Sequence, residues 1–254
     1  MYEVLAIRYG TRETRKGECF LDFASYGEPD APLQMDYFFW LLRGDGRTIL
    51  VDTGFSPEVG ERRGRTVLCP PLEALARLGV APADVAQVIL THLHYDHTGN
   101  VAAFPDAELV VQRAELDFWT GVEGRAPEHA AHVEPEEIAV VSTASRLRVL
   151  DGSGQVEPGI DAVLIGGHSP GQQSLVVTTE RGTVVLASDA AHYYEEVERD
   201  RPFAIVVDVE TMRRGLATLR DLAARPGAVL VPGHDPEVMK RFPVVAEDLA
   251  VRVG

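Results

Sequence analysis

Cysteine is nearly absent: the 254 residues hold two, Cys19 and Cys69, far apart and in no metal or redox spacing. That excludes a disulfide-stapled scaffold and a Cys-ligated metal knuckle, and predicts two small buried or half-buried thiols in a reducing compartment. Long hydrophobic runs are also missing. The longest, Tyr37 to Leu42, is far short of a membrane span. The N-terminal MYEVLAIRYG is interrupted by Arg8 and lacks the apolar stretch of a signal peptide. Basic residues are few, 24 Lys and Arg against 39 Asp and Glu, for a formal net charge of -15. Nucleic acid and anionic membranes need clustered Lys and Arg, so neither is expected as the main partner. A polyphosphate substrate is disfavoured for the same reason. These absences predict a soluble cytoplasmic protein, and the length fits one large domain or two small ones.

What is present is a series of apolar runs. Residues 2–9 read as a strand. The runs 36–43 and 47–51 flank Gly44-Asp45-Gly46, a hairpin signal. A helix is predicted over 70–78, strands over 86–91 and 107–112, and a helix from there to Trp119. Residues 120–137 read as a loop or short helices. Strands follow over 146–150, 160–166, 173–179 and 182–187, then a helix over 208–224 with Met212, Leu216, Leu219 and Leu222 on one stripe. The last strand predicted is 227–232. The run Tyr37-Phe38-Phe39-Trp40 alternates faces, and its packing is expected between sheets. Four of these strands end in Asp or His: Asp52, His92, Asp189 and His234. Strand ends are where α/β sheets place their chemistry.

The densest feature is Thr91-His92-Leu93-His94-Tyr95-Asp96-His97. On an extended segment, His92 and His94 point to one side. Asp96 and His97 follow as the chain turns, and can face a second point. Imidazole and carboxylate are the ligands of open catalytic sites for Zn²⁺ and similar ions. His168 in GGHSPG, Asp189 in ASDA and His234 in PGHDP add three candidates among small neighbours. Five histidines and two aspartates suit two metals sharing one carboxylate.

The order HxHxDH, His, Asp, His resembles the metallo-β-lactamase superfamily, and VDTG at Asp52 matches another of its motifs. The resemblance spans about Tyr37 to His234. It implies an α+β fold, an αββα sandwich of two mixed sheets flanked by helices. It implies that His92, His94 and His168 hold one divalent ion, that Asp96, His97 and His234 hold a second, and that Asp189 bridges them. Asp52 would orient the ligand loop by hydrogen bonding. Zinc is the first expectation, with iron, manganese or cobalt also suited. THLHYDHTGN, PGQQSL, SDA, RPFAIVVD and PGHDP are similar to the N-acyl homoserine lactonases. That group implies opening of a lactone, an N-acyl homoserine lactone or another small one, by a metal-bridging hydroxide, with Asp96 carrying a proton to the leaving oxygen. Those lactonases have a substrate-contacting tyrosine three residues after the bridging aspartate. Here His192 stands there, followed by Tyr193 and Tyr194. His192 is expected to donate a hydrogen bond or act as an acid, or Tyr193 or Tyr194 to supply a phenol if the loop shifts.

The same site also serves thioesterases of the glyoxalase II type and β-lactamase-like amidases. A non-hydrolytic iron oxygenase or redox domain is an alternative of another class. Arg62, Arg63 and Arg65 form a basic cluster that either attracts an anionic substrate or product or pairs with nearby acids. His129 and His132 are expected at the surface or on a pocket rim.

Overall fold

Asp45 and Gly46, at φ 51° and 72°, make the tight turn of the first hairpin, a two-residue reversal whose twist matches that of its strands. In the computed structural model, which describes residues 1–254, that hairpin belongs to the larger of two sheets. The first seven strands build most of it: β1 (Glu3–Arg15), β2 (Pro32–Gly44), β3 (Arg47–Val51), β4 (Thr66–Val67), β5 (Val85–Ile89), β6 (Glu108–Gln112) and β7 (Leu147–Leu150). The next five form the second sheet: β8 (Gly154–Glu157), β9 (Ile160–Leu164), β10 (Gln173–Thr179), β11 (Gly182–Ser188) and β12 (Ala228–Pro232). The chain then returns to the first sheet with β13 (Val244–Ala246) and β14 (Ala250–Arg252). The strand orders are β13-β14-β1-β2-β3-β5-β6-β7, with β4 on β1, and β12-β11-β10-β9-β8. Both sheets mix parallel and antiparallel pairs.

The two sheets pack face to face over Phe38, Trp40, Val51, Leu175, Val177 and Leu186. Helices cover the outer faces. Leu216, Leu219 and Leu222 of the helix Val209–Ala223 lie on Val185 and Ala187 of β11. The alternation of the aromatic run holds, but only Phe38 and Trp40 lie between the sheets. Tyr37 and Phe39 belong to the outer core, beneath helices, because both faces of a covered sheet are buried.

The first strand continues six residues past its apolar alternation, to Arg15, because pairing with β2 persists as far as Arg15 opposite Pro32. Residues 120–137 do hold short helices, Glu123–Arg125 and Pro127–Ala130, and the start of Pro135–Ser142. Strands β13 and β14 have three residues each, too short for periodicity to reveal. Cys19 and Cys69 are buried and free. No helix is long and apolar enough to cross a membrane.

Candidate metal centre

Two parallel pairs, β3 with β5 and β11 with β12, bring four carboxyl ends to one edge of the sandwich. Asp52 follows β3, Thr91-His92 comes two residues after β5, Asp189 follows β11, and His234 comes two residues after β12. The β9–β10 connection adds His168. His94 is extended, and the helical turn Tyr95–Thr98 that follows carries Asp96 and His97. Asp52 and Ser188 sit at φ 63° and 49°, a conformation costing non-glycine residues on the order of 1–3 kcal/mol. Thr91 ties both down: its amide and hydroxyl donate to Asp52 at 2.8 Å each, and its oxygen lies 2.9 Å from Ser188 Oγ. Gly233 is required beside them, since a Cβ there would meet Asp189 Oδ1 at 2.7 Å.

Outer partners fix most of the imidazoles. His168 Nδ1 donates to the Ile205 carbonyl and His234 Nδ1 to the Asp36 carbonyl, each at 2.8 Å. His97 Nδ1 lies 2.7 Å from Asp52 Oδ2. The Thr91 hydroxyl proton is directed at Asp52, so its oxygen accepts from His92 Nδ1 at 3.1 Å. Each of these rings therefore turns an Nε2 lone pair inward, as metal-ligating histidines do. His94 turns in its Nδ1 instead, 2.9 Å from His168 Nε2.

The inward atoms fall into groups. His92, His94 and His168 form one; Asp96, His97, Asp189 and His234 form another. Asp189 stands between them. Its Oδ1 lies 3.0 Å from His234 and 3.4 Å from His97, and its Oδ2 lies 3.4 Å from His168 and 3.8 Å from His92. His92 Nε2, His97 Nε2 and Asp189 Oδ1 are buried with no hydrogen-bond partner. Such orphans are costly unless a ligand satisfies them, so the donor set fits divalent cations. Burial and the neighbouring imidazoles hold His92 and His94 far below the ordinary histidine range, and burial takes His168 to about 3. All three stay neutral, the form that binds a cation.

His192 joins this cluster. Its Nε2 lies 3.1 Å from Asp189 Oδ2, and its ring stacks on Phe203 at 3.6 Å. Burial opposes its charge, but Asp189 and then Glu196 outweigh burial and raise it to about 9. Tyr193 and Tyr194 are placed elsewhere. The Tyr193 hydroxyl donates to the Gln34 carbonyl at 3.3 Å, and the Tyr194 ring lies 3.7 Å under Arg241 in the core between the sheets. Neither lines the cavity. The loop is not free to shift, because the His192 and Tyr193 amides both donate to Glu196 Oε1, at 2.7 and 2.9 Å.

The cavity over the cluster has a volume of about 220 Å³. Met35, Tyr37, Tyr95, Phe203 and Ile205 supply its apolar wall, and Arg12, Arg63, Arg65 and His132 its polar rim. Of the basic cluster, Arg62 and Arg63 both pair with Glu134, and only Arg63 and Arg65 reach the cavity. His132 is on the rim, 5.3 Å from the His94 ring, while His129 packs on Phe118. Composition and spacing gave no sign of Glu115, which is fully buried. Its carboxylate accepts from the Leu93 and Gly171 amides, the Ser169 hydroxyl and the Trp119 indole.

N-acyl homoserine lactonase of Bacillus thuringiensis is 29% identical over 249 residues, 91% of this chain and 95% of that protein. N-acyl homoserine lactonase AttM of Azorhizobium caulinodans is 33% identical over 172 residues, 65% of this chain and 64% of that one. A solved quorum-quenching N-acyl homoserine lactone lactonase superposes with a TM-score of 0.81 at 27% identity, covering 96% of both chains. An N-acyl homoserine lactone hydrolase, solved with the product N-hexanoyl-L-homoserine at its catalytic metal center, gives 0.74 at 27% identity, covering 94% of this chain and 98% of that one. The sequence profile of the metallo-beta-lactamase superfamily matches residues 36–234. That span runs from β2 to His234 and takes in every histidine and aspartate of the cluster: the chain belongs to the metallo-beta-lactamase superfamily.

Proposed function

We propose that residues 1–254 act as one hydrolase domain that opens a lactone ring with two divalent ions, zinc first among them. The observation that carries this reading is Asp189, whose two oxygens face two separate sets of inward nitrogens. His92, His94 and His168 would hold one ion, and Asp96, His97 and His234 the other, with Asp189 shared. Asp52 positions His97 and the ligand loop. When bound, such ions supply a water of lowered pKa and a Lewis acid for a carbonyl oxygen.

The chain's own residues do the rest. His192, stacked on Phe203 and lining the cavity, donates a hydrogen bond to the ring carbonyl as it takes on negative charge. A bond forms between water oxygen and the carbonyl carbon, and the ring C–O bond breaks. Asp96, also on the cavity wall, passes the water's proton to the released alkoxide oxygen. The kinship with N-acyl homoserine lactonases supports a lactone as substrate, and the -15 charge supports a small molecule over nucleic acid. The two free, buried thiols support a cytoplasmic setting.

Metal analysis of the purified protein, with parallel assays on a lactone panel, a glutathione thioester and a chromogenic β-lactam, tests the proposal. Two equivalents of divalent metal and preferential lactone opening are expected. Preferential thioester or β-lactam turnover, or full activity after rigorous metal removal, would overturn it.

A further inference from the structure

Arg12 and Arg65 line the cavity above the metal-ligand cluster, and neither has a carboxylate within ion-pairing distance. The contrast with their neighbours is sharp. Arg62 and Arg63 share Glu134, and Arg8 and Arg15 pair with Asp36 and Asp30. Arg65 donates from Nε to the Tyr95 hydroxyl at 3.0 Å and from Nη1 to the Arg63 carbonyl at 2.7 Å, both uncharged acceptors. Its Nη2 donates to nothing in the protein. Arg12 donates to the Thr14 hydroxyl at 3.0 Å, and its Nε is buried with no partner at all. Of the acids lining the same cavity, Glu18 accepts the Thr14 hydroxyl at 2.7 Å, and neither it nor Asp96 or Asp189 pairs with Arg12 or Arg65.

Strand β4 pairs antiparallel with β1, Gly10 opposite Val67 and Thr11 opposite Thr66. Arg12 follows that pair on β1 and Arg65 precedes it in the turn before β4, where its amide donates to the Gly60 carbonyl at 2.8 Å. Both side chains line the one cavity. Two half-buried guanidinium groups with open N–H groups on a confined space suit an oxyanion and above all a planar carboxylate.

We infer that Arg12 and Arg65 form an anion subsite that selects a lactone bearing a carboxylate away from the scissile ester. This rests on the lactone-opening reading above and narrows it. The substrate is an anionic lactone, and its opened product a hydroxy-dicarboxylate.

Two measurements separate the two claims. In the first, the metal-loaded protein is assayed on γ-butyrolactone and on the same ring carrying a carboxylate at the γ-carbon. In the second, glutarate and valerate, five-carbon acids with two carboxylates and one, are titrated calorimetrically into the same protein. Wild type should favour the carboxylated lactone by kcat/KM and bind glutarate more tightly, each by roughly tenfold or more. R12Q and R65Q should each shrink both ratios toward one, and R65K should keep part of them, since it retains charge but loses the fork. Equal handling of both lactones and both acids by wild type overturns the inference and leaves lactone opening standing. So do ratios that neither substitution changes. Loss of the glutarate preference in R12Q and R65Q, with no lactone opened by wild type, upholds the subsite and overturns the lactone reading.

Discussion

Glu115 accepts a 2.7 Å hydrogen bond from Ser169, the residue after His168, and a 2.9 Å bond from the amide of Leu93, which lies between His92 and His94. One buried carboxylate thus clamps together the two segments that carry the first group of histidines. The Gly171 amide and the Trp119 indole complete its acceptor set. A Cβ on Gly171 would come within 2.4 Å of Glu115, so this close approach depends on glycine.

An amide in place of that carboxylate presents an NH₂ group to at least one of four donors. Glu115→Gln should therefore cost on the order of 2–4 kcal/mol of stability. It should also weaken metal retention roughly 10- to 100-fold, as losses around metal ligands commonly do. Urea denaturation and a competition titration against a fluorescent chelator measure the two effects. Unchanged metal affinity would mean that Glu115 only packs the fold.

Metal removal has its own signature. Without cations, His92 Nε2, His97 Nε2 and Asp189 Oδ1 remain buried and unsatisfied. Chelation should lower the melting temperature by roughly 10 °C, the shift expected when ions far above their dissociation constant stabilise a chain of this size. Added Zn²⁺ should restore it. A melting curve indifferent to chelator and zinc would count against the seven residues as ligands.

Glu137 gives a pH dependence that lies outside the ligand set. Its carboxylate accepts the Thr98 hydroxyl at 2.6 Å. Burial, opposed by that bond and reinforced by Glu134 and Asp96, pushes it up to about 7. The folded protein thus holds this proton more tightly than the unfolded chain. The resulting stabilisation is full below the unfolded pKa near 4.5 and is lost as pH rises through about 7. With the side chain only partly shielded from solvent, the effect is on the order of 1–2 kcal/mol. Glu137→Gln removes the titration. The stability difference between variant and wild type, from urea melts at pH 5 and pH 8, should shift in the variant's favour at the higher pH. A difference constant across that range would place Glu137 in a solvated setting.

Much of this centre was legible because its chemistry is local. The HxHxDH cluster puts four side chains into one strand-to-helix turn, and Asp52, Asp189 and His234 each follow an apolar run. Sequence separation hid the rest. Glu115 meets Ser169 across 54 positions, and nothing in the helix Arg113–Thr120 marks that glutamate as buried. Tyr37 read as core because it alternates with Phe38, yet its ring packs edge-on against His234 at 5.1 Å and lines the cavity. Arg12 lies in a polar stretch with no strand pattern, and pairing with Met35 of β2 brings it to the site. Non-local pairing of this kind leaves no periodic trace.

His192 and its two tyrosine neighbours offer the cleanest separation of roles. Only His192 reaches the cavity, held by the Phe203 stack and by the Glu196 clamp on its amide. The Tyr193 hydroxyl is directed to Gln34, and the Tyr194 hydroxyl is buried without a partner. His192→Ala should lower kcat roughly 100- to 1000-fold on a lactone that wild type opens, the loss typical of one hydrogen-bond donor to a developing oxyanion. Tyr193→Phe and Tyr194→Phe should stay within about twofold of wild type, since neither phenol reaches the reacting atoms. The metal content of each variant is measured alongside, because His192 also lies 3.1 Å from Asp189. A His192→Ala protein that keeps its metal and its kcat would remove the residue from the reaction. A large loss in Tyr193→Phe with metal intact would return the phenol to it, by a loop rearrangement that the Glu196 hydrogen bonds oppose.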